Sequence, residues 1–230
     1  QNSPAPPSGI RVKTGNDPNT PQNTYRVEQV VYHPTWQAGF QDYMDANDLC
    51  LVKLSTPILD RTPVALHTSS KEELGSNIWF AGFGDYSETI GQDYNKDSKL
   101  HAMENILDRV VDGFMTSANG QQYPGGLLAF DFDHPQGKTN SLGDEVVNAD
   151  EALLGSGTSG SKPLNLEGTT VEGDSGGPLF ILYEGQWEIA GVLSGGADNP
   201  IDNFSDSSYG DISIFTRVAT AKDWIYSVIR

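Results

Sequence analysis

Residues 172–180, Glu-Gly-Asp-Ser-Gly-Gly-Pro-Leu-Phe, set Ser175 in a glycine frame and follow it with an apolar pair. A serine hydroxyl is a weak nucleophile until a neighbouring base takes its proton. Glycines beside it let backbone approach a substrate carbonyl, and N–H groups aimed there can hold the oxyanion of an acyl-transfer step. The same string also reads as an unreactive turn before a strand. The choice rests on whether a histidine and a carboxylate reach the serine. The four histidines, His33, His67, His101 and His134, all precede it.

Chain order separates the hydrolase chemistries. Gly-Asp-Ser-Gly-Gly satisfies the nucleophile elbow of α/β-hydrolases, but there the acid and the histidine follow the serine. No histidine follows His134, so that reading fails. Asp48, then His67, His101 or His134, then Ser175 meets the subtilisin order. That serine, however, opens a helix in a parallel α/β sheet, whereas Ser175 precedes a strand-like run, 177–183. The order histidine, aspartate, serine remains.

The surrounding elements are mostly strands. Residues 25–33, 48–54, 77–84, 177–183 and 187–196 have strand length and apolar content, the last two joined by a turn at Gly185. Residues 48–54 read as a core strand holding Cys50 as a buried thiol. Residues 99–111 fit strand or helix. Val218, Ala221, Trp224, Ile225, Val228 and Ile229 follow helical spacing. Residues 112–168, rich in Gly, Ser, Asn and Asp, read as long loops with one strand near 126–132. Many short strands with one terminal helix describe an all-β barrel architecture.

Gly173–Phe180 resembles the nucleophile motif of the trypsin/chymotrypsin-like serine proteases, and 47–54 resembles the family strand that carries the aspartate. Residues 32–36, 81–84, 190–196, 214–218 and the terminal helix fall in the family's order, with a texture similar to bacterial, disulfide-free members. The resemblance implies two antiparallel six-stranded-type β-barrel lobes and a C-terminal helix. Residues 1–66 form an incomplete first lobe. Residues 67–230 form the second lobe, with long loops at 112–168 and the helix at 218–230.

By resemblance Ser175 is the nucleophile and Asp48 the carboxylate that orients the histidine. The N–H groups of Gly173 and Ser175 form the oxyanion hole. Asp174 is the acid that pairs with a newly cleaved N-terminal ammonium. Ser194, Gly195 and Gly196 bind substrate backbone. Thr169 and Thr170 stand where trypsin-like members carry an aspartate, so the preferred P1 residue is uncharged and medium or large, such as Leu, Phe or Met. Glu172 lines the pocket mouth and Ser213 its wall. The partners are a peptide or protein substrate and the enzyme's own cleaved N-terminal segment.

The family's base lies in an Ala-Ala-His-Cys-like stretch that has no counterpart here. His33, in Tyr-His-Pro, matches a surface position just ahead of the aspartate loop. His67 reads as a structural histidine near the lobe connection. His101 lies in a strand-like run and His134 in an acidic loop. The activation segment is absent too, so the expectation is an N-terminally shortened endopeptidase, inactive as this chain alone. The alternative is a non-catalytic protease-fold module that binds a peptide or protein partner.

The 230 residues carry a formal net charge of −17, which excludes the basic footprint of a nucleic-acid binder. No apolar run reaches membrane-spanning length, so no membrane partner is expected, and the resemblance implies a secreted protein. Cys50 is alone, so no intrachain disulfide forms. No cofactor is expected. Asp131, Asp133, Asp144 and Glu145 offer hard oxygens for calcium without EF-hand spacing, as does the loop 15–23 with its single acid. Such acidic loops are usually only solvated.

Overall fold

A computed structural model describes residues 6–38, 46–87, 94–113, 123–143, 154, 159–160, 162–197 and 207–230. Among these the expected all-β architecture with a terminal helix is present. Three strands, β1 (Arg11–Thr14), β2 (Asn23–Tyr32) and β3 (Cys50–Leu54), form one antiparallel sheet in the order β1-β2-β3. A short helix, α1 (Pro34–Ala38), follows β2, and the two-residue strand β4 (Ala65–Leu66) leads out of this region.

The larger sheet holds β5 (Asn77–Gly82), β6 (His101–Ile106), β7 (Arg109–Gly113), β8 (Tyr123–Asp131), β9 (Pro178–Tyr183), β10 (Gln186–Ala197) and β11 (Ile212–Arg217). Its order is β6-β5-β9-β10-β11-β8-β7, all antiparallel, and β4 adds a short parallel pairing to β10. The ambiguous run 99–111 is thus two strands. The strand expected near 126–132 is β8.

The β9–β10 hairpin shows how local sequence fixes register. Tyr183 pairs with Gln186, leaving Glu184-Gly185 as a two-residue turn with φ of 48° and 81°. Two left-handed residues make the type I′ turn that suits the twist of antiparallel strands. Downstream, β10 slips register against β11 between Leu193 and Gly195, so Ser194 is the extra residue of a bulge. Such bulges re-aim a side chain.

All six residues of β11 are buried. Phe215 packs on Phe80 and Phe130, with ring centroids 5.7 and 5.6 Å apart, and this cluster forms the main core with Leu179 and Ile181. The terminal helix, α2 (Val218–Ile229), buries Val218, Ala221 and Ile225 against Leu49. Ile229, although at the expected spacing, is 59% exposed at the helix end.

Two expectations fail in the three-stranded sheet. Cys50 is exposed, and β3 is no core strand: none of its five residues is fully buried, and Val52 is 40% exposed. The cause is topological, since β3 lies at the edge of its sheet, and of its residues only Leu51 packs on the cluster that α2 forms with Leu49. His33, expected at the surface, is buried at 8% exposure, edge-on to Trp224 of α2 at 4.7 Å. The helix supplies an apolar wall that the string Tyr-His-Pro does not announce.

Candidate active site

Ser175 is exposed on the turn entering β9. That turn is held at three points. Asp174 N–H donates to Val171 O (3.1 Å), Gly177 N–H to Asp174 O (2.8 Å), and Gly176 N–H to Leu193 O (2.9 Å). Gly173 has φ +94°, and a Cβ there would lie 3.0 Å from Gly84 Cα, so both conformation and space require glycine. Among the described residues the N–H groups of Gly173 and Ser175 make no hydrogen bond. Open donors beside an exposed hydroxyl are what an oxyanion hole needs.

Asp174 turns the other way, into the protein. Its Oδ1 accepts Gly84 N–H at 2.8 Å and its Oδ2 accepts Val171 N–H at 3.1 Å. A Cβ on Gly82 would fall 2.0 Å from Asp174 Oδ1, and one on Gly84 2.7 Å, so the glycines of 81–84 make room for the carboxylate. Burial pushes its pKa up, opposed by the two N–H groups and by His101. The carboxylate lines a cavity of about 750 Å³ shared with Tyr86, His101, Glu167 and Tyr209.

Asp48 lies in the segment that enters β3 of the other sheet. Its Oδ2 accepts the Ser194 hydroxyl at 2.7 Å, and burial raises its pKa while that hydrogen bond lowers it. Leu49, packed on α2, anchors the neighbouring residue. Leu193, beside Ser194, accepts Gly176 N–H and donates to Gly177 O at 2.9 Å. The aspartate is therefore tied, across 146 residues, to the strand segment that clasps the Ser175 turn. By resemblance Ser194 faces substrate backbone. Its bond to Asp48 has no signal in the spacing and comes from the β10 bulge.

None of the four histidines bonds to Ser175 or Asp48. His33 shares a 2.8 Å contact with the Thr35 hydroxyl, and burial lowers its pKa. His67, fully buried, meets Glu188. His101 bonds Asp97 at 3.0 Å and stacks on Tyr86. His134 accepts Gln136 N–H and packs on Tyr209.

The pocket residues come together through their hydroxyls. Ser213 Oγ lies 3.3 Å from Thr169 Oγ1 and 2.9 Å from Thr170 Oγ1, and also accepts Thr170 N–H at 3.3 Å. Thr169 and Ser213 are buried, whereas Glu172 is exposed. Gly196 pairs with Ser213, and a Cβ there would lie 2.5 Å from Ile212 O. Gly195 pairs with Ile214.

Of the acidic residues weighed for calcium, Asp144 and Glu145 lie outside the described residues. Asp131 spends its oxygens on Leu142 N–H (2.8 Å) and the Ser159 hydroxyl (3.3 Å). Asp133 is buried, which together with Asp131 and Glu167 pushes its pKa up to about 7. Asp17, in the loop 15–23, caps Asn19 N–H and the Thr20 hydroxyl. Among the described residues no group of three or more His, Cys, Asp or Glu side chains is arranged to hold a metal ion.

An antiparallel all-β chain with a terminal helix, a serine on a glycine turn and an aspartate clasped through Ser194 has the framework of a chymotrypsin-like fold. Known proteins agree with this. The Trypsin family model matches residues 140–225. Tryptase of Mus musculus is 27% identical over 207 residues, covering 88% of this chain and 62% of its own length. Vitamin K-dependent protein C of Oryctolagus cuniculus is 24% identical over 207 residues, covering 88% of this chain and 37% of its own. These matches support the trypsin-like serine protease family. The chain spans less than two thirds of either relative. No helix among the described residues is long and apolar enough to cross a membrane.

Proposed function

We propose that this protein is a secreted serine endopeptidase that forms an acyl-enzyme on Ser175. The observation that carries the reading is the Ser194–Asp48 hydrogen bond of 2.7 Å, which brings a half-buried carboxylate to the segment holding the exposed serine. Ser175 Oγ attacks the scissile carbonyl, and the N–H groups of Gly173 and Ser175 receive the oxyanion. Asp48 orients the imidazole that takes the serine proton. That imidazole belongs to a segment outside this sequence, and the 230-residue chain alone is inactive. Asp174 receives a cationic N-terminus in its cavity. The hydroxyl-lined floor of Thr169, Thr170 and Ser213 carries no charge and fits an uncharged P1 residue such as Leu, Phe or Met.

One observation favours a second reading, a non-catalytic module that binds a peptide or protein: no histidine of this chain bonds to Asp48. Treating natively purified protein with a peptidyl phosphonate bearing P1 leucine, then weighing it under denaturing conditions, separates the two. The enzyme reading predicts an adduct at Ser175 together with a second, histidine-bearing polypeptide. An adduct with no companion would place the base within this chain. No adduct on folded protein that retains its companion would leave the binding module.

A further inference from the structure

A second serine in the molecule has the base that Ser175 lacks. His67 is fully buried between β4 and the segment leading to β5, with its ring edge-on to Tyr183 at a centroid distance of 4.9 Å. Its Nδ1 lies 2.8 Å from Glu188 Oε2 on β10, and its Nε2 lies 3.1 Å from the hydroxyl of Ser69. The backbone N–H of Lys71 points at the same Nε2 from 3.4 Å. A backbone N–H can only donate, so Nε2 is the unprotonated nitrogen and Nδ1 carries the hydrogen, given to Glu188. The Ser69 hydroxyl must then donate to Nε2. Serine to Nε2, Nδ1 to carboxylate: this is the tautomer and the order of a general-base triad.

The second acid beside the ring is already engaged. Glu72, whose Oε1 lies 3.9 Å from Nε2, is spent on Arg217, which donates through Nε at 2.8 Å and again through Nη2. The histidine is shielded from water and Glu188 nearly so, with a side chain 18% exposed, whereas Ser69 is exposed. Ser70 holds the left-handed φ of 55°, which an L-residue adopts only at a cost, so the turn presenting Ser69 is a constrained one. A hydroxyl open to reagent with a buried, oriented base behind it is the arrangement of an activated nucleophile.

We infer that Ser69 is a second, independent modification site, a serine activated by His67 and Glu188 toward small acyl or phosphonyl donors. With a fluorophosphonate, Ser69 Oγ would form the bond to phosphorus and the P–F bond would break. The serine proton would pass to His67 Nε2 and then to solvent, and fluoride would leave with the bonding pair. The expected chemistry is stoichiometric modification by an unhindered electrophile.

The test uses the 230-residue chain carrying Ser175→Ala, treated with a small alkyl fluorophosphonate, weighed intact and mapped by peptide. The inference predicts one adduct, on Ser69, lost in the additional Ser69→Ala variant. Replacing Glu188 by Gln frees the imidazole to take the other tautomer, and labelling should slow by about 10²-fold or more. Near-UV circular dichroism establishes that each variant is folded. No adduct on the folded chain would overturn the inference. So would a labelling rate unchanged by Glu188→Gln, or equal on the urea-unfolded chain, because His67 and Glu188 would then be a packing clasp.

Discussion

The two sheets of this molecule carry the two halves of the proposed site, and they are built to different standards. In the larger sheet β11 is buried at every position and three phenylalanine rings lock its centre. In the three-stranded sheet β3 has no fully buried residue. The serine turn belongs to the first, pinned by Leu193, Val171 and Gly84. The aspartate lies just ahead of β3 of the second and is held by Ser194 and by its neighbour Leu49, which packs against α2. The serine turn with its open N–H groups is thus held at several points, while the aspartate depends on a single hydroxyl and one helix contact.

That contrast can be broken by substitution. Phe215→Ala removes a fully buried ring and should cost about 3–5 kcal/mol in urea unfolding. Val52→Ala on β3, 40% exposed, should stay within about 0.5 kcal/mol, and equal losses at the two sites would refute the difference in packing. Ser194→Ala is the cut between the halves. It leaves a half-buried carboxylate without its hydrogen bond and should lower stability by about 1–3 kcal/mol. A loss near zero would mean that Asp48 is held elsewhere.

A pH titration sharpens the picture of the larger sheet. Burial and the neighbouring Asp131 raise the pKa of Asp108 to about 8, and Asp133 is raised to about 7. The folded chain therefore holds these protons more tightly than the unfolded chain does. Their contribution to stability is complete below about pH 4 and is lost as pH rises through 7–8. The melting temperature should fall between pH 5 and 8, and Asp108→Asn should flatten that fall. A steeper fall in the variant would contradict the assignment. The smallest effect is expected at the exposed Glu28–Lys53 pair between β2 and β3, 3.2 Å apart, where Lys53→Ala should change stability by less than about 0.5 kcal/mol.

Much of this architecture was legible because it is local. The alternation and turn residues of 177–196 announce the β9–β10 hairpin, and the spacing from Val218 announces α2. Gly173 and the glycines of 81–84 are explained by the serine turn and the Asp174 carboxylate they accommodate. What escaped the sequence depends on long-range packing. Whether Cys50 and His33 are covered is decided by the edge position of β3 among the described strands and by Trp224, not by their flanking residues. The Asp48–Ser194 bond spans 146 residues and needs a bulge that no spacing rule reports. The Ser69–His67–Glu188 alignment likewise joins residues 121 apart.

The central claim, that Ser175 is a competent nucleophile waiting for an imidazole, is tested most directly by chemical rescue. The 230-residue chain would be mixed with a peptidyl p-nitrophenyl ester bearing P1 leucine, and the nitrophenol burst followed with and without added imidazole. The account predicts no acylation of Ser175 alone, slow stoichiometric acylation of Ser175 with imidazole as located by peptide mapping, and loss of that imidazole-dependent burst in Ser175→Ala. Full acylation of Ser175 without imidazole, or a folded chain that imidazole leaves unacylated at Ser175, would contradict it.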